Sequence, residues 1–439
     1  MLRSMYSGIA GMRNFQTKLD VIGNNIANVN TFGYKKGRVV FKDLMSQSIS
    51  GASTPTDNRG GTNPAQVGLG ATMAAIDMVA TQGSLQTTGR QLDLAINGDG
   101  FFVVNRGGLN MYTRAGNFYL DQQGTLVTAD GYKVQGYQVR EDGTIDPLTL
   151  GEIKVDTNAF MSPKATTQVS MVGNLNASAE IPTSGPTSTP ITSGTTPLST
   201  QLTSNETSMD LKVRDSLGNE HDIRVIYTKT ANNTWDYEAY RVDFSTGVYG
   251  DRVTNGTGGT LAFDSTGKLS PAPASTIEGF TISAAALNNG ADNLAVNFNF
   301  DSISQVSGSS TIAVGEKDGN GEGYIESFNI GASGEVVGVF SNGEVQVLSQ
   351  IGVATFANNG GLTKSGNNYF TESNNSGVAK IGFAGIGRGS IQSAALEMSN
   401  VDLSEEFTEM ITAQRGFQAN TRIITTSDEI LQELVNLKR

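Results

Sequence analysis

The sequence predicts a multidomain α+β protein, with helices at both chain ends and mainly antiparallel β-domains between them. Apolar residues recur every three or four positions at the two ends, whereas in the middle they alternate with polar residues and Gly-containing turns are frequent. Only 37% of the residues are hydrophobic and 16% are charged, and the balance is rich in Gly, Ser, Thr and Asn. A chain of 439 residues is long enough for about two to four compact units.

The N-terminal segment carries a heptad pattern. Its seam residues recur at alternating steps of three and four positions, and they are Met5, Gly8, Met12, Phe15, Leu19, Ile22, Ile26 and Val29. All of them except Gly8 are apolar. The pattern predicts an amphipathic helix of the coiled-coil type, and such a helix needs a packing partner because it is marginal in water on its own.

The C-terminal segment predicts a second helix with a broader apolar face. Its first row of apolar residues is spaced by seven positions and consists of Met410, Phe417, Ile424 and Leu431. A second row beside it consists of Ile423, Ile430 and Leu437. Asn400 or Asp402 is the expected N-cap, and Glu405 and Glu406 follow in the first turn, where negative charge is favourable. A helix with two adjacent apolar rows is expected to contact more than one neighbour.

Two arrangements of the terminal helices satisfy these patterns, and periodicity alone leaves both open. In one, the two helices pair within the chain as a helical hairpin that carries the β-domains. In the other, further copies of the chain cover the second apolar row, which a soluble monomer would otherwise expose. The second arrangement predicts that the residues of subunit assembly are Met5, Met12, Phe15, Leu19, Ile22, Ile26, Phe407, Met410, Phe417, Ile424 and Leu431.

The middle of the chain predicts strands separated by tight turns. Residues 94–104 give a strand–turn–strand pattern around Asn97-Gly98-Asp99-Gly100, and residues 337–348 give a similar hairpin around Ser341-Asn342-Gly343. Residues 182–208 are dominated by Pro, Ser, Thr and Gly, and they predict a loop. Strand patterns resume after this loop, which predicts a separate middle β-domain, and they lie at 222–228, 234–242 and 294–300.

Charge and cysteine content exclude several classes of function. The formal net charge is -12 and no cluster of Lys or Arg offsets it, so neither nucleic acid nor an acidic membrane surface is an expected partner. The chain has no Cys, which excludes disulfides and thiolate metal sites.

No apolar run is long enough to span a bilayer, so no membrane insertion is expected. The N-terminal segment lacks the compact apolar core of a Sec-type signal peptide, and an exported protein would need another route.

No pattern predicts a catalytic, cofactor or metal site. His221 is the only histidine, which excludes multi-histidine metal sites, and it is expected at the surface. Residues 98–100 lack the third glycine of a dinucleotide site, and residues 318–322 lack the spacing of a calcium loop. Asp215 and Glu220 are carboxylates of the type that glycosidases use in pairs. The rival class of function is therefore a secreted β-rich adhesin or glycan-acting enzyme.

Several segments resemble those of the bacterial flagellar rod and hook protein family. The segment 24–36 is close to the family's signature after its first helix, and the matching signature residues are Asn24, Asn28, Thr31, Gly33 and Tyr34. The other similar segments follow in family order within residues 1–150 and 320–439, and they are 88–102, 112–118, 340–343, 399–403 and 406–420.

The resemblance implies domains that are assembled from both halves of the chain. A coiled-coil-like helical domain would serve polymerisation, a connecting segment would follow it, and an outer β-domain would be inserted into an inner one. The outer block is of hook size, and this separates the chain from the shorter rod subunits. The expected parts are the helical domain 1–30 and 398–439, the connecting segment 31–70, the inner β-domain 71–148 and 320–397, and the outer β-domain 149–319.

The resemblance also implies a function. The chain would be a non-enzymatic subunit of the flagellar hook, without a cofactor, that polymerises with many copies of itself into a flexible tube and transmits torque between rod and filament. Its expected partners are the flagellar rod, the hook–filament junction proteins and, during assembly, the hook cap and the type III export apparatus. Its expected location is the extracellular flagellum, at the hook of the basal body, after export without a cleaved signal peptide. A distal-rod-like or hook-related axial subunit is the main alternative.

Overall fold

The computed structural model describes residues 2–55, 59–140, 144–156, 160–181, 206–243, 248–253, 259–270 and 277–437. Most of the predicted loop 182–208 lies outside these residues. The chain divides into two compact units: unit 1 comprises Met1–Thr157, Ser327–Gly338 and Gln346–Arg439, and unit 2 comprises Asn158–Glu326 and Val339–Val345. The α-helices of the described residues are α1 Leu2–Ala27, α2 Ala284–Leu287 and α3 Leu403–Asn436.

The strands are numbered in chain order. The first fourteen are β1 Gly37–Asp43, β2 Ser46–Ser50, β3 Ala65–Gly68, β4 Ala71–Met78, β5 Leu85–Thr87, β6 Leu94–Asn97, β7 Phe101–Arg106, β8 Leu109–Thr113, β9 Tyr119–Leu120, β10 Leu126–Val127, β11 Lys133–Val139, β12 Ile145–Glu152, β13 Phe160–Met161 and β14 Gln168–Asn176. The next eight are β15 Glu206–Arg214, β16 Glu220–Ala231, β17 Thr234–Asp243, β18 Val248–Arg252, β19 Gly259–Ala262, β20 Ile277–Ile282, β21 Leu294–Val306 and β22 Ala313–Lys317. The last eight are β23 Gly323–Ile330, β24 Glu335–Phe340, β25 Val345–Thr355, β26 Thr363–Gly366, β27 Tyr369–Thr371, β28 Lys380–Phe383, β29 Ser390–Ser393 and β30 Ala395–Glu397.

The fold is therefore built mostly of antiparallel β-sheets with a helix at each end of the chain, as the sequence predicts. Helix α3 begins at the N-cap Asp402, whose carboxylate accepts hydrogen bonds from the backbone N–H groups of Ser404 and Glu405. This resolves the choice between Asn400 and Asp402. No helix among the described residues is long and apolar enough to cross a membrane.

Strands β1 to β4 form two antiparallel ribbons that we call the arm, residues 37–78. Strand β1 pairs with β4, and β2 pairs with β3. The arm packs on α1 through small groups, since Asn14 Nδ2 donates to the Ala71 carbonyl over 2.8 Å, and a Cβ added at Gly70 would lie 3.3 Å from Ser7 Cα. The predicted connecting segment 31–70 thus contains regular strands, and β4 completes their pairing.

The main sheet of unit 1 has apolar layers on both faces of its central strand. Strand β7 pairs with β8, β11 and β25. Along β7, Phe102 and Val104 face one core cluster while Phe101 and Val103 face another. A strand that is buried on both sides reads as a continuous apolar run, and Phe101–Val104 is such a run.

Strands β6 and β7 are not the hairpin that the sequence predicts. Strand β6 pairs with β29, and Ile96 lies opposite Ile391, so the two strands belong to different sheets. Gly98 and Gly100 have φ angles of 103° and 145°, which only glycine adopts readily, and they redirect the chain from one sheet to the other. The predicted hairpin around Asn342 is confirmed, because the Phe340 N–H donates to the Glu344 carbonyl across the turn.

Unit 2 contains two sheets around its own core. Strands β15, β16, β17 and β18 form one sheet in that order, with β19 also paired to β17, and β20, β21, β14 and β22 form the other. The core includes Trp235, Tyr237 and Phe298, all buried. The strands predicted at 222–228, 234–242 and 294–300 are confirmed as parts of β16, β17 and β21.

Candidate assembly surface and the junction that positions it

The two terminal helices pair with each other in antiparallel orientation. A Cβ added at Gly8 would lie 3.3 Å from Ile424 Cγ1, and one added at Gly416 would lie 2.5 Å from the Phe15 ring. Nearer the other end of the pair, Lys18 Nζ lies 3.2 Å from Glu409 Oε2. The glycines let the two helix backbones approach closely, and a larger residue there would separate them.

The predicted assembly residues are divided between this pair and the surface. Ile22 is buried, and a set of nine is partly buried, consisting of Met5, Met12, Phe15, Leu19, Ile26, Met410, Phe417, Ile424 and Leu431. Phe407 is 50% exposed. Contacts of Phe15 with Gly416 and of Ile424 with Gly8 lie within one chain. The N-terminal seam therefore contributes to an intramolecular helix pair.

Helix α3 carries two further rows of apolar side chains that the described residues leave exposed. We call Leu403, Phe407 and Ile411 the N-terminal stripe; they are spaced by four positions and are 40%, 50% and 59% exposed. We call Ile423, Ile430 and Leu437 the C-terminal stripe, and they are also exposed. The C-terminal stripe is the predicted second row. Leu403 and Ile411 were not predicted as assembly residues, although their spacing of four positions from Phe407 is a signal that could have found them.

The arm exposes a second apolar surface. Every residue of β2 and β3 is exposed, and Met45, Ile49, Met73 and Ile76 are large apolar side chains among the exposed ones. None of these residues was predicted to take part in assembly, since Met45 and Ile49 lie in the predicted connecting segment 31–70 and Met73 and Ile76 lie in β4. A two-stranded ribbon without a covering layer is marginal in water.

Residues 24–37 and 397–406 form a polar junction between the helix pair and the β-structure. Asn25 is its centre and is buried. Its amide Nδ2 donates to the Gly37 carbonyl and to Glu406 Oε2 over 2.9 and 3.2 Å. Its Oδ1 accepts from the Tyr34 hydroxyl and the Gly37 N–H over 3.2 and 3.0 Å. All four hydrogen-bonding positions of the amide are thus used, which fixes α1, β1 and α3 relative to one another.

The five predicted signature residues lie in the turn that leads from α1 into the junction. Asn24 Nδ2 donates to the Tyr34 hydroxyl over 3.3 Å, Asn28 Nδ2 donates to the Asn24 carbonyl over 2.8 Å, and Thr31 Oγ1 donates to Asn28 Oδ1 over 3.2 Å. Gly33 has a φ of 70°, and a Cβ there would lie 2.5 Å from the backbone of Arg114. The structure therefore brings these residues together in one local network.

A buried group of three charges lies beside this turn. Lys35 Nζ lies 2.6 Å from Glu397 Oε1, and Arg114 Nη1 lies 3.2 Å from Glu397 Oε2. Lys35 also donates to the Thr81 carbonyl and Arg114 to the Gly98 carbonyl. Burial lowers the pKa of Lys35, and the Glu397 carboxylate opposes that shift. These residues were missed as a set, since no local pattern links positions so far apart in the chain.

Asn400 connects the segment before α3 to both ends of the arm. Its Oδ1 accepts from the Lys36 N–H over 2.8 Å, and its Nδ2 donates to the Val79 carbonyl over 2.9 Å. The residue just before α3 is thereby tied to the start and the end of the arm. The junction consists of structural contacts, and among the described residues no group of three His, Asp or Glu side chains is arranged to hold a metal ion.

In unit 2, the expectation that His221 lies at the surface is wrong. His221 is 7% exposed, and its Nε2 lies 2.9 Å from Asp215 Oδ2. Asp215 also accepts hydrogen bonds from Asn219 and Asn289. Glu220, the other carboxylate of the suggested pair, lies 2.6 Å from Arg214. Asp215 is therefore engaged in ordering the turn between β15 and β16, because its neighbours in that turn are its partners.

Comparisons with known protein families identify four matching segments of the chain. Four family models match, described as "Flagella basal body rod protein" over residues 5–35, "Flagellar hook protein FlgE/F/G D1 domain" over 95–177, "Flagellar basal body protein FlaE D2 domain" over 174–320, and "Flagellar basal body rod FlgEFG protein C-terminal" over 392–437.

Full-length relatives and one solved structure agree with these matches. The flagellar hook protein FlgE of Borreliella burgdorferi is 41% identical and that of Treponema pallidum 37% identical, each over 100% of both chains. The flagellar basal-body rod protein FlgG of Bacillus subtilis is 36% identical, also over 100% of both chains. The crystal structure of the Helicobacter pylori flagellar hook protein FlgE2 matches in fold with a TM-score of 0.53 and 18% identity, covering 71% of this chain and 100% of that one.

Proposed function

Because this chain belongs to the flagellar hook protein family and is a structural subunit of the bacterial flagellar hook, we propose that its copies assemble through the stripes on α3 and the apolar surface of the arm. The observation that carries the proposal is the exposure of the N-terminal stripe on a helix whose other face is already occupied by α1. The predicted assembly residue Phe407 lies at the centre of that stripe.

The energetics favour coverage by another copy. Full burial of a large apolar side chain stabilises by about 1.5–3 kcal/mol, so covering three that are about half exposed would contribute roughly 2–4 kcal/mol. Soluble monomers rarely leave such rows uncovered. The two stripes lie toward opposite ends of α3. A contact between unlike surfaces of successive copies is heterologous and can continue without closing, which produces a fibre.

The test is a substitution that introduces a charge into the N-terminal stripe. Phe407→Asp would place a carboxylate in a desolvated contact between copies, at a cost of several kcal/mol. We expect the subunit to keep its circular dichroism and to lose fibre formation in electron micrographs. Thr412→Asp is the matched control and should leave fibres intact, because Thr412 is exposed on the same helix but lies about 140° around the helix axis from Phe407 and about three turns from the C-terminal stripe.

The outcome must be compared with a change in the helix pair itself. Phe15→Asp would disrupt the contact with Gly416 inside the chain, so it should reduce helical circular dichroism as well as assembly. Normal fibres from Phe407→Asp would show that the N-terminal stripe is not part of a contact between copies.

We further propose the predicted domain organisation, in which residues 1–30 and 398–439 form a coiled-coil-like polymerisation domain and 149–319 an outer domain inserted into the inner one. The antiparallel pairing of α1 with α3 supports the first part. Unit 2, whose larger segment is Asn158–Glu326, and the D2 family model over residues 174–320 support the second. If the outer block is an independent domain, it should unfold separately from unit 1, as measured by the fluorescence of Trp235, the only tryptophan of the chain.

As a polymeric axial component, the chain contacts rod and hook proteins of the flagellum. We propose that its specific partners are the adjoining rod, the hook–filament junction proteins, the hook cap and the type III export apparatus, and that it is exported without a cleaved signal peptide. We also propose that it has no catalytic role. The commitment of Asp215 and Glu220 to structural contacts supports this, and absence of glycan hydrolysis by the purified subunit would be the direct check.

A further inference from the structure

Glu406 is an acidic side chain in an unusual position for the first turn of a helix. It is only 4% exposed, whereas the side chain of its neighbour Glu405 is 55% exposed. Glu406 Oε2 accepts a hydrogen bond from Asn25 Nδ2 over 3.2 Å, and Glu406 Oε1 lies 3.9 Å from Lys36 Nζ. A buried carboxylate whose nearest cation is this distant is incompletely paired.

The charged groups around Glu406 come from every element packed against it. They line a cavity of about 170 Å³ between α1, the start of the arm and α3. Helix α1 contributes Lys18, the arm and the residue before it contribute Arg38 and Lys36, and α3 contributes Glu405 and Glu409. A cavity of this size exceeds the roughly 30 Å³ that one water occupies in the liquid, so protons can reach Glu406.

We propose that Glu406 is a positioning residue whose protonation state sets how tightly the terminal helix pair is held to the arm through Asn25. The neutral acid can still accept the Asn25 hydrogen bond through its carbonyl oxygen, and it removes the repulsion from the carboxylates of Glu405 and Glu409. The ionised form keeps that repulsion and lacks full solvation.

The balance of these effects determines the direction of the pH dependence. Burial is the largest effect and raises the pKa of Glu406 above its ordinary value of 4.5; the Asn25 hydrogen bond and Lys36 oppose it, while Glu409 and Glu405 reinforce it. The docked helix pair therefore binds the proton more readily than an undocked one. Docking strengthens as the pH falls from neutral through the raised pKa and stops changing below about 4.5.

The consequence for assembly depends on the proposed function, whereas the docking itself does not. Undocking of the helix pair would remove the fixed placement of the two stripes, so a neutral environment would keep a free subunit less ready to assemble than a mildly acidic one. The experiment is done on the full-length subunit before assembly, so its result is independent of whether fibres form.

The test is amide hydrogen exchange in α1 and in the first turns of α3, measured between about pH 5 and pH 8 and corrected for the intrinsic exchange rate. One titrating group gives a change in docking of at most about tenfold per pH unit. We expect protection to rise toward low pH in the wild type. In Glu406→Gln we expect it to be high and nearly independent of pH. In Glu429→Gln, at an exposed position far along α3 from Glu406, we expect it to follow the wild type.

A second measurement keeps the inference testable if Glu406→Gln disturbs the fold. Carbon-detected titration of ¹³C-labelled glutamate in the wild type should show a carboxyl with a pKa above 4.5, assigned to Glu406 by its proximity to Asn25. A pKa for Glu406 at or below that ordinary value would overturn the inference. So would equal pH dependence of protection in the wild type and in Glu406→Gln, or loss of that dependence in Glu429→Gln.

Discussion

Lys35 and Glu397 are separated by 362 positions in the sequence, and their side chains meet in a buried ion pair of 2.6 Å. The same carboxylate binds Arg114 and accepts a hydrogen bond from the Gly83 N–H over 2.9 Å. Glu397 therefore joins the segment after α1, the main sheet and the strand that precedes α3. Its charge is compensated by two cations, so removing the carboxylate would leave both cations buried without a counter-ion.

Glu397→Gln should destabilise unit 1 by about 3–5 kcal/mol, since breaking a buried ion pair from one side leaves an uncompensated charge. The measurement is urea unfolding followed by far-ultraviolet circular dichroism. Trp235 is the only tryptophan of the chain and lies in the core of unit 2, so its fluorescence should report an unchanged midpoint. Glu405→Gln is the matched control, because an exposed ion pair contributes at most about 1 kcal/mol. A shift of both signals by the same amount would contradict independent unfolding of the two units.

The lowered pKa of Asp215 predicts that unit 2 loses stability in acid. Its burial would raise the pKa, but hydrogen bonds from His221, Asn289 and Asn219 outweigh burial and hold the pKa of Asp215 well below the ordinary 3.8. A lowered carboxyl pKa contributes stability that is present above about pH 3.8 and is lost as the pH falls toward the folded-state value.

Asp215→Asn should therefore lower the stability of unit 2 at neutral pH and flatten its dependence on pH below about 4, as measured by Trp235 fluorescence in urea at a series of pH values. Asp292→Asn, at an exposed position, should retain the slope of the wild type. An unchanged slope in Asp215→Asn would show that other groups cause the acid sensitivity.

Alanine substitutions at Gly33 and Gly131 would distinguish the cost of backbone strain from the cost of steric overlap. Both have positive φ angles, 70° and 81°, but an added Cβ would lie 2.5 Å from the Arg114 backbone at Gly33 and in open space at Gly131. Gly131→Ala should cost about 1 kcal/mol from the backbone conformation alone. Gly33→Ala should cost about 2–5 kcal/mol because the junction must also shift. Thermal unfolding monitored by circular dichroism would compare them, and equal losses would argue against a close approach at Gly33.

The sequence predicted the elements better than their connections. The heptad residues predicted α1 and α3 because helical periodicity is local, and alternation predicted β16, β17 and β21 for the same reason. Pairing between β6 and β29 could not be read from the sequence, since the turn at Gly98–Gly100 looks like that of a hairpin. The signature residue Asn28 was recognised from its motif, but Asn25 was not, since only its contacts across the fold reveal its role.

The burial of polar residues could not be predicted from the sequence. His221 lies in a strand with polar neighbours, which suggests an exposed position, yet Asp215 supplies a partner inside unit 2. Similarly, Lys35 and Arg114 appear in the sequence as ordinary surface charges. Burial of a charge depends on a partner that is distant in sequence, so local patterns carry no information about it.

The hydrogen bond between Asn25 and Glu406 also constrains the order of folding. It closes a separation of 381 residues, and contacts of this range form late because their loop-closure entropy must be paid before they contribute stability. Strand pairs such as β7 with β8 need only a short loop and can form earlier. The helix pair is then completed only when both ends of the chain are present and the β-structure has brought them together. A truncated or partly folded subunit would lack the junction, so the surface that we propose for assembly is restricted to complete molecules.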